Sequence, residues 1–542
     1  LDSSILFHGQ STLNSNLNIK IMIKNIKWIL IASLGIVSCS QEVEDTSGIE
    51  SEVVVSAGTA DFRNYVALGN SLTAGYTDGA LFKAGQLNAY PKLLSDQFAL
   101  VGGGSFTTPF MNDNAGGLLA GGFPLQGVRL IFNGTAPIPL PGASPTTDIL
   151  NVLTGPFNNM GVPGAKSFHL LAPGYGNIAG VATGASNPYF VRFASNESTT
   201  IVADAVAQEP TFFSLWIGNN DVLSYATSGG IGVNQLGNFN PATYGGNDIT
   251  DPTVFANTYS GIVDAMTANG AKGVVANIPY VNSVAFFTTV PTNPITALSL
   301  PASNSSQLNQ LFGAINQITT ALGQPNRFVT LLSDDANVAT VEPNNPLLMV
   351  DQDLPNLSVQ IAAVLQPLFG EATAGFLGNL YGQARHARNT PSTDRDYILL
   401  TSRALIGANQ TGAPAPFNVV GISYPMQDST VLSAGEVAEI KTATDAYNSS
   451  IRAIAESKNL AFVDANAVLN QVSNGGILSG TYHFTNQFVQ GGTFGLDGVH
   501  LTARANAYIA NKFLEAIEKT YGSSFKKYKP QDFPLSYPSF LP

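Results

Sequence analysis

Of the five histidines in this chain, only His500 follows an aspartate by three residues, in "DGVH" (497–500). That spacing can set the Asp497 carboxylate beside the imidazole Nδ1, which fixes the ring's tautomer and leaves Nε2 free to take a proton. His8, His169, His386 and His483 have no such neighbour. A base of this kind needs a nucleophile. Serine is a weak one unless a base lies within hydrogen-bond reach and donors point at the oxyanion that develops. The stretch "VALGNSLTAG" (66–75) offers Ser71 just past an apolar run that stops at glycine. Ser71 is expected to end a strand, cap and start a helix, and present its hydroxyl at the helix's positive end. The chemistry these three residue types support is acyl transfer.

The positioning elements follow from the hydrophobic pattern. "NYVALG" (64–69) and "TFFSLWIG" (211–218) read as buried strands, each followed by polar residues: Asn70-Ser71 in one case, Asn219-Asn220-Asp221 in the other. "YPKLLSDQFAL" (90–100) has helical spacing. "DPTVFANTYSGIVDAMTANG" (251–270) reads as a helix with Asp251 at the N-cap, Pro252 at N1 and Gly270 at C′. The strand "KGVVANIP" (272–279) follows it. A capping box, Ser433 and Glu436, opens a helix over 433–460; "AFVDA" is the next strand, and Thr502 caps a last helix over 501–522. Strands alternating with amphipathic helices predict an α/β fold, a parallel sheet with helices on both faces. Ligands in such sheets bind beyond the carboxyl ends of the strands, so Ser71 and Asn220 are expected to share one cleft.

Four blocks occur in order: "GNSL" (69–72), "MGVPGAKS" (160–167), "IGNND" (217–221) and "DGVH" (497–500). Together they resemble the SGNH, or GDSL-type, serine hydrolase family. The resemblance implies a three-layer, flavodoxin-like core and an esterase or lipase acting through an acyl-serine. It makes Ser71 the nucleophile, His500 the base and Asp497 its orienting partner. Gly164 and the Asn220 side chain become oxyanion donors beside the Ser71 N–H, with Gly161 the alternative in the second block. It implies a small-molecule, lipid or glycan ester as substrate. No cofactor is expected, and no metal, because Cys/His metal spacing is absent. One position departs from the family pattern: residue 70 is Asn where the family has Asp.

The rhythm breaks between 283 and 416, where Pro-rich turns separate helical runs at 306–322 and 357–369. The expected organisation is a leader (1–38), a tether (39–60), a first core part (61–282) and a largely helical insertion or cap (283–416). A second core part (417–522) and a Pro- and aromatic-rich tail (523–542), extended along the surface, complete it. The segment 361–382 is expected to be packed cap and not a lipid-facing lid. The pairs Asp334-Asp335 and Asp351/Asp353 lack the spacing of a calcium loop and read as solvated acidic turns.

Composition narrows the function classes. The 542 residues are 44% hydrophobic and only 11% charged, against about 25% in an average soluble chain. A net charge of −12 leaves no basic stripe for nucleic acid. Cys39 is the one cysteine, so no intrachain disulfide forms. Lys20, Lys24 and Lys27, the apolar "WILIASLGIV" (28–37) and "IVSC" resemble a bacterial lipoprotein signal, which implies lipidation at Cys39. The protein is then expected in the cell envelope, on a lipid anchor at the outer membrane, periplasmic or surface-exposed. No other run is expected to be long and apolar enough to cross a membrane. The rival reading is an envelope-anchored lipoprotein that binds glycans or other nutrients without turnover. It is disfavoured because Trp216, the one tryptophan after Cys39, sits in an apparent buried strand.

Overall fold

Residues 65–69 are apolar without interruption because both faces of the strand they form are covered. The computed structural model describes residues 54–334, 344–390 and 394–541. Strand β1 (Tyr65–Gly69) sends Val66 and Leu68 into one core cluster and Tyr65 and Ala67 into another. The remaining strands of the main sheet are β2 (Asn159–Gly161), β3 (Phe212–Trp216), β4 (Lys272–Ala276) and β5 (Ala461–Val463). All neighbours are parallel, in the order β2-β1-β3-β4-β5. Strand order therefore reverses between β1 and β3, and the crevice beyond their carboxyl ends is where such sheets hold ligands. Gly69 pairs with both Gly161 and Trp216, so three strands end level at that crevice.

Helices cover the sheet on both sides. Those used below are α1 (Ser71–Ala74), α2 (Tyr90–Ala99), α3 (Asn220–Thr227), α4 (Pro252–Thr267), α5 (Ala302–Ala321), α6 (Ser358–Tyr381), α7 (Ala434–Ser457), α8 (Ala465–Ser473) and α9 (Ala503–Tyr521). On one face α4 and α7 bury Phe255 and Tyr447, whose rings stack 4.2 Å apart. On the other, α2 and α9 bury Phe98, Phe513 and Leu514. The sequence's start signals are the caps seen. Asp251 accepts from the N–H of Thr253 and of Val254, Ser433 and Glu436 form a reciprocal box, and Thr502 accepts from Ala505. Because α4 closes at Thr267, Gly270 falls one position beyond the C′ site expected of it.

The insertion carries its own core, with Leu308, Phe312, Ile361, Leu365 and Tyr381 packed between α5 and α6. By length and apolar composition α6 could cross a membrane, contrary to the expectation from sequence. Pro367 lies within it and Gly370 takes φ 76°, ψ 165°, which divides it into two shorter helices. Neither half reaches the roughly 20 residues that span a bilayer. One side of α6 is packed; Val359, Val364, Leu368 and Phe369 are exposed.

Asp351 is not the solvated acid the sequence suggested. It is buried against the Arg385 guanidinium, which also grips Asp396 with two nitrogens, one at 2.7 Å. Asp396 in turn accepts from the N–H of Ala434 at 2.9 Å, the first residue of α7, so the network joins insertion to core. The tail is anchored as well: Phe525 and Tyr537 are buried, and Arg129 donates to the carbonyls of Tyr537, Pro538 and Ser539. Cys39, with the leader and most of the tether, lies outside the described residues.

Arg385→Ala would leave the buried Asp396 without a cation and the buried Asp351 with only the Arg388 guanidinium, 3.4 Å away. It is expected to cost about 3–5 kcal/mol in urea unfolding, and a loss under 1 kcal/mol would show the network to be dispensable.

Candidate active site

The turn from β1 into α1 sets Ser71. Asn70 caps α1, its Oδ1 accepting from the Leu72 N–H at 3.1 Å, and its Nδ2 donates to Asn219 Oδ1 at 3.3 Å. The cap is therefore Asn70 and not Ser71, which takes the first helical position. A carboxamide one residue earlier reaches the orphan N–H, so the Ser71 hydroxyl is left for other work. Because α1 has only four residues, it contributes little of the dipole expected at Ser71. The Asn found where the resembled family has Asp thus serves as a neutral cap that also ties β1 to the end of β3.

Ser71 Oγ lies 2.9 Å from His500 Nε2, and His500 Nδ1 lies 2.9 Å from Asp497 Oδ2. An ionised carboxylate only accepts, so Nδ1–H donates to Asp497 and the Nε2 lone pair accepts the Ser71 hydroxyl. The Asp and His side chains are each 15% exposed. Burial opposes ionisation of Asp497, but the neighbouring His500 charge and hydrogen bonds from the His500 ring and from the His500 and Val499 N–H groups outweigh it. The carboxyl is held below the usual aspartate range.

A device that sequence reasoning missed completes this arrangement. Thr77 and Ala80 exchange both backbone hydrogen bonds around Asp78 and Gly79, which have φ 51° and φ 76°. This is the two-residue hairpin turn for which Asp-Gly is favoured. It points the Gly79 N–H at Asp497 Oδ2 (2.9 Å) and the Asp78 carboxylate at the Leu496 N–H (2.7 Å). One turn therefore grips the loop that carries both Asp497 and His500. The visible signal was the dipeptide "DG" at 78–79, but its partners lie more than 400 residues away. Burial pushes the Asp78 carboxyl up to about 7 against the Leu496 hydrogen bond; Asp497 raises it further, while the Arg129 and His500 charges lower it. Tyr76 flanks His500, ring centroids 4.6 Å apart.

Candidate oxyanion donors are partly assembled. The Ser71 N–H has no acceptor among the described residues. Asn220 opens α3, and its Nδ2 donates one hydrogen to the Ala165 carbonyl at 2.9 Å, leaving the second available. Gly164 is the third residue of a turn closed by Ala165 N–H to Val162 O at 3.1 Å, with φ 82°. Its N–H is also without an acceptor among the described residues, but Gly164 is exposed and does not line the pocket at Ser71. Gly161 is buried in β2 and its N–H is committed to Asn159 Oδ1 at 3.0 Å, which removes the alternative donor. Asp221 faces away from the cleft, holding the N–H and hydroxyl of Ser167 at 2.8 and 2.7 Å.

Asn70, Ser71, Asn219, Asn220 and His500 line one pocket of about 80 Å³. Its other walls are apolar: Leu72, Leu223, Val281, Val284, Leu469 and Phe494. Trp216 closes one side with its Nε1–H on the Asn277 carbonyl at 3.1 Å; it is buried and offers no exposed sugar platform. The other histidines lie elsewhere. Burial drives His169 and His386 down to about 3, and each accepts a backbone N–H at Nδ1. His483 sits on a hairpin with Nε2 against the Gly475 carbonyl. No cluster of metal-ligating side chains occurs among the described residues. Comparison with protein-family models, with curated proteins and with solved structures finds no match to this chain.

An aspartate whose carboxyl is raised in the folded state stabilises the fold below its unfolded value of about 4 and loses that contribution as pH rises to about 7. Asp78→Asn keeps the acceptor and tolerates the backbone, so it should gain on wild type by about 3–4 kcal/mol between pH 4 and 8 in urea unfolding. A pH-independent difference would rule out this burial effect.

Proposed function

We propose that this protein is a serine hydrolase of the SGNH, or GDSL, type that cleaves carboxylic esters through an acyl-serine. The observation that carries this reading is the continuous chain of contacts from Ser71 Oγ through His500 to Asp497 at the mouth of a pocket. The strand order β2-β1-β3-β4-β5, that of a flavodoxin-like sheet, and the position at its switch point support it.

The steps follow from the donors and acceptors in place. Ser71 Oγ attacks the ester carbonyl carbon as His500 Nε2 takes its proton, and Asp497 stabilises the imidazolium. The carbonyl oxygen gains the negative charge and meets the Ser71 N–H and the spare Asn220 hydrogen, with the Gly164 N–H completing the set if that turn closes on substrate. Collapse breaks the bond to the alcohol, which leaves with the proton from His500. Water then gives a proton to His500, adds to the acyl carbon and releases the acid, and Ser71 regains its proton.

A fluorophosphonate probe should label wild type at Ser71. His500→Ala should slow labelling by at least a thousandfold, and Asn220→Ala should lower kcat by roughly 10²–10³ (about 3–4 kcal/mol). An unlabelled Ser71 in folded protein would sink the proposal and leave the binding-lipoprotein alternative standing.

The proposal includes an envelope location through a lipid on Cys39. Metabolic labelling with a fatty-acid analogue should tag the full chain and be lost in Cys39→Ala; equal labelling of both would contradict it.

A further inference from the structure

We propose that the small cavity lined by Arg192 and Thr108 binds one chloride ion, the counter-ion of the Arg192 guanidinium. The site is independent of the hydrolase reading, because the cavity shares no lining residue with the pocket at Ser71.

Among the described residues four arginines are buried: Arg129, Arg192, Arg327 and Arg385. Three of them interact with a carboxylate charge, Asp78 for Arg129, Asp351 for Arg327, and Asp351 with Asp396 for Arg385. Arg192, only 1% exposed, has no carboxylate partner among the described residues. The ionisable group it does interact with is the Tyr189 hydroxyl, which burial pushes well above its ordinary value and so keeps neutral. Burial lowers the guanidinium only to about 10, so it stays protonated at neutral pH. A charge taken out of water is costly unless something of opposite sign meets it.

Hydrogen bonding is incomplete at the same place. Arg192 donates from one terminal nitrogen to the Phe110 carbonyl at 2.7 Å, while its buried Nε has no acceptor among the described residues. Thr108 Oγ1 is also buried and has no partner there. Both residues line a cavity of about 10 Å³. The other polar side chains around it are already engaged: Gln86 with Pro109 and Met111, Asn159 with Thr73 and Gly161, Tyr189 with Gln126. No carboxylate lines the space. What remains is an N–H and a hydroxyl beside a positive charge, which is the chemistry that recognises an anion. Size then selects the anion. Roughly 10–15 Å³ holds one water-sized particle, so a monatomic ion suits the cavity and phosphate, sulfate or a carboxylate does not. A water would meet both hydrogen bonds but brings no charge against the guanidinium.

The test reads the Tm of the full chain as gluconate is replaced by chloride at constant ionic strength. It then locates the ion by the anomalous scattering of bromide, in protein prepared and crystallised with bromide as the only halide. Chloride should raise Tm along a saturating curve. Bromide should give a peak within hydrogen-bond reach of Arg192 Nε and Thr108 Oγ1. Arg192→Met keeps the apolar stem and should abolish the chloride dependence. Thr108→Val keeps the shape and the charge and should weaken the apparent chloride affinity by about tenfold or more; it decides the matter if the arginine variant does not fold. A Tm that ignores chloride would overturn the proposal, whether the cavity then shows water or, by a bromide peak, an adventitious ion only. A chloride effect without a peak in the cavity, or one undiminished in both variants, would overturn it as well. None of these results bears on fluorophosphonate labelling of Ser71.

Discussion

A carboxylate withdrawn from water has to be met by donors, and Asp497 collects four of them: the N–H groups of Gly79, Val499 and His500, and the His500 ring itself. Three of these come from its own loop and one from a turn close to Ser71 in the chain. The carboxylate therefore acts as the joint between the first and last parts of the fold. Orientation of the imidazole toward Ser71 follows from that joint, because the ring has one nitrogen fixed and the other directed at the hydroxyl.

The sheet supplies the floor on which the joint can form. With Gly69 level with Trp216 and Gly161, the polar residues that follow β1 and β3 emerge side by side. Asn70 and Asn219 then hydrogen-bond across the gap. Neutral amides at this place satisfy each other without adding charge beside the Asp–His pair. Asp221, by contrast, turns inward and fixes Ser167, so the acidic member of "GNND" supports the neighbouring loop and leaves the cleft to Asn220.

Residue type and short-range spacing made the main parts of the site legible. Asp497 and His500 are three apart, Ser71 ends an apolar run, and Asp251, Ser433 and Thr502 are start signals whose side chains bond within their own first turn. What sequence could not show is pairing across long separations. Asp78-Gly79 reads as an ordinary turn until the loop at 495–500 is seen against it. Asp351 reads as an exposed acid until Arg385 covers it. The choice between Gly161 and Gly164 depends on which N–H a strand has already committed, and that requires coordinates.

Ser71 and His500 are separated by 429 positions along the chain. At about 5–20 residues added per second, roughly 20–90 s pass on the ribosome between one and the other. Throughout that interval Ser71 has no His500 imidazole beside it. A chain still being made therefore lacks the Ser71–His500 contact, which can form only on the arrival of its last helix-bearing segment.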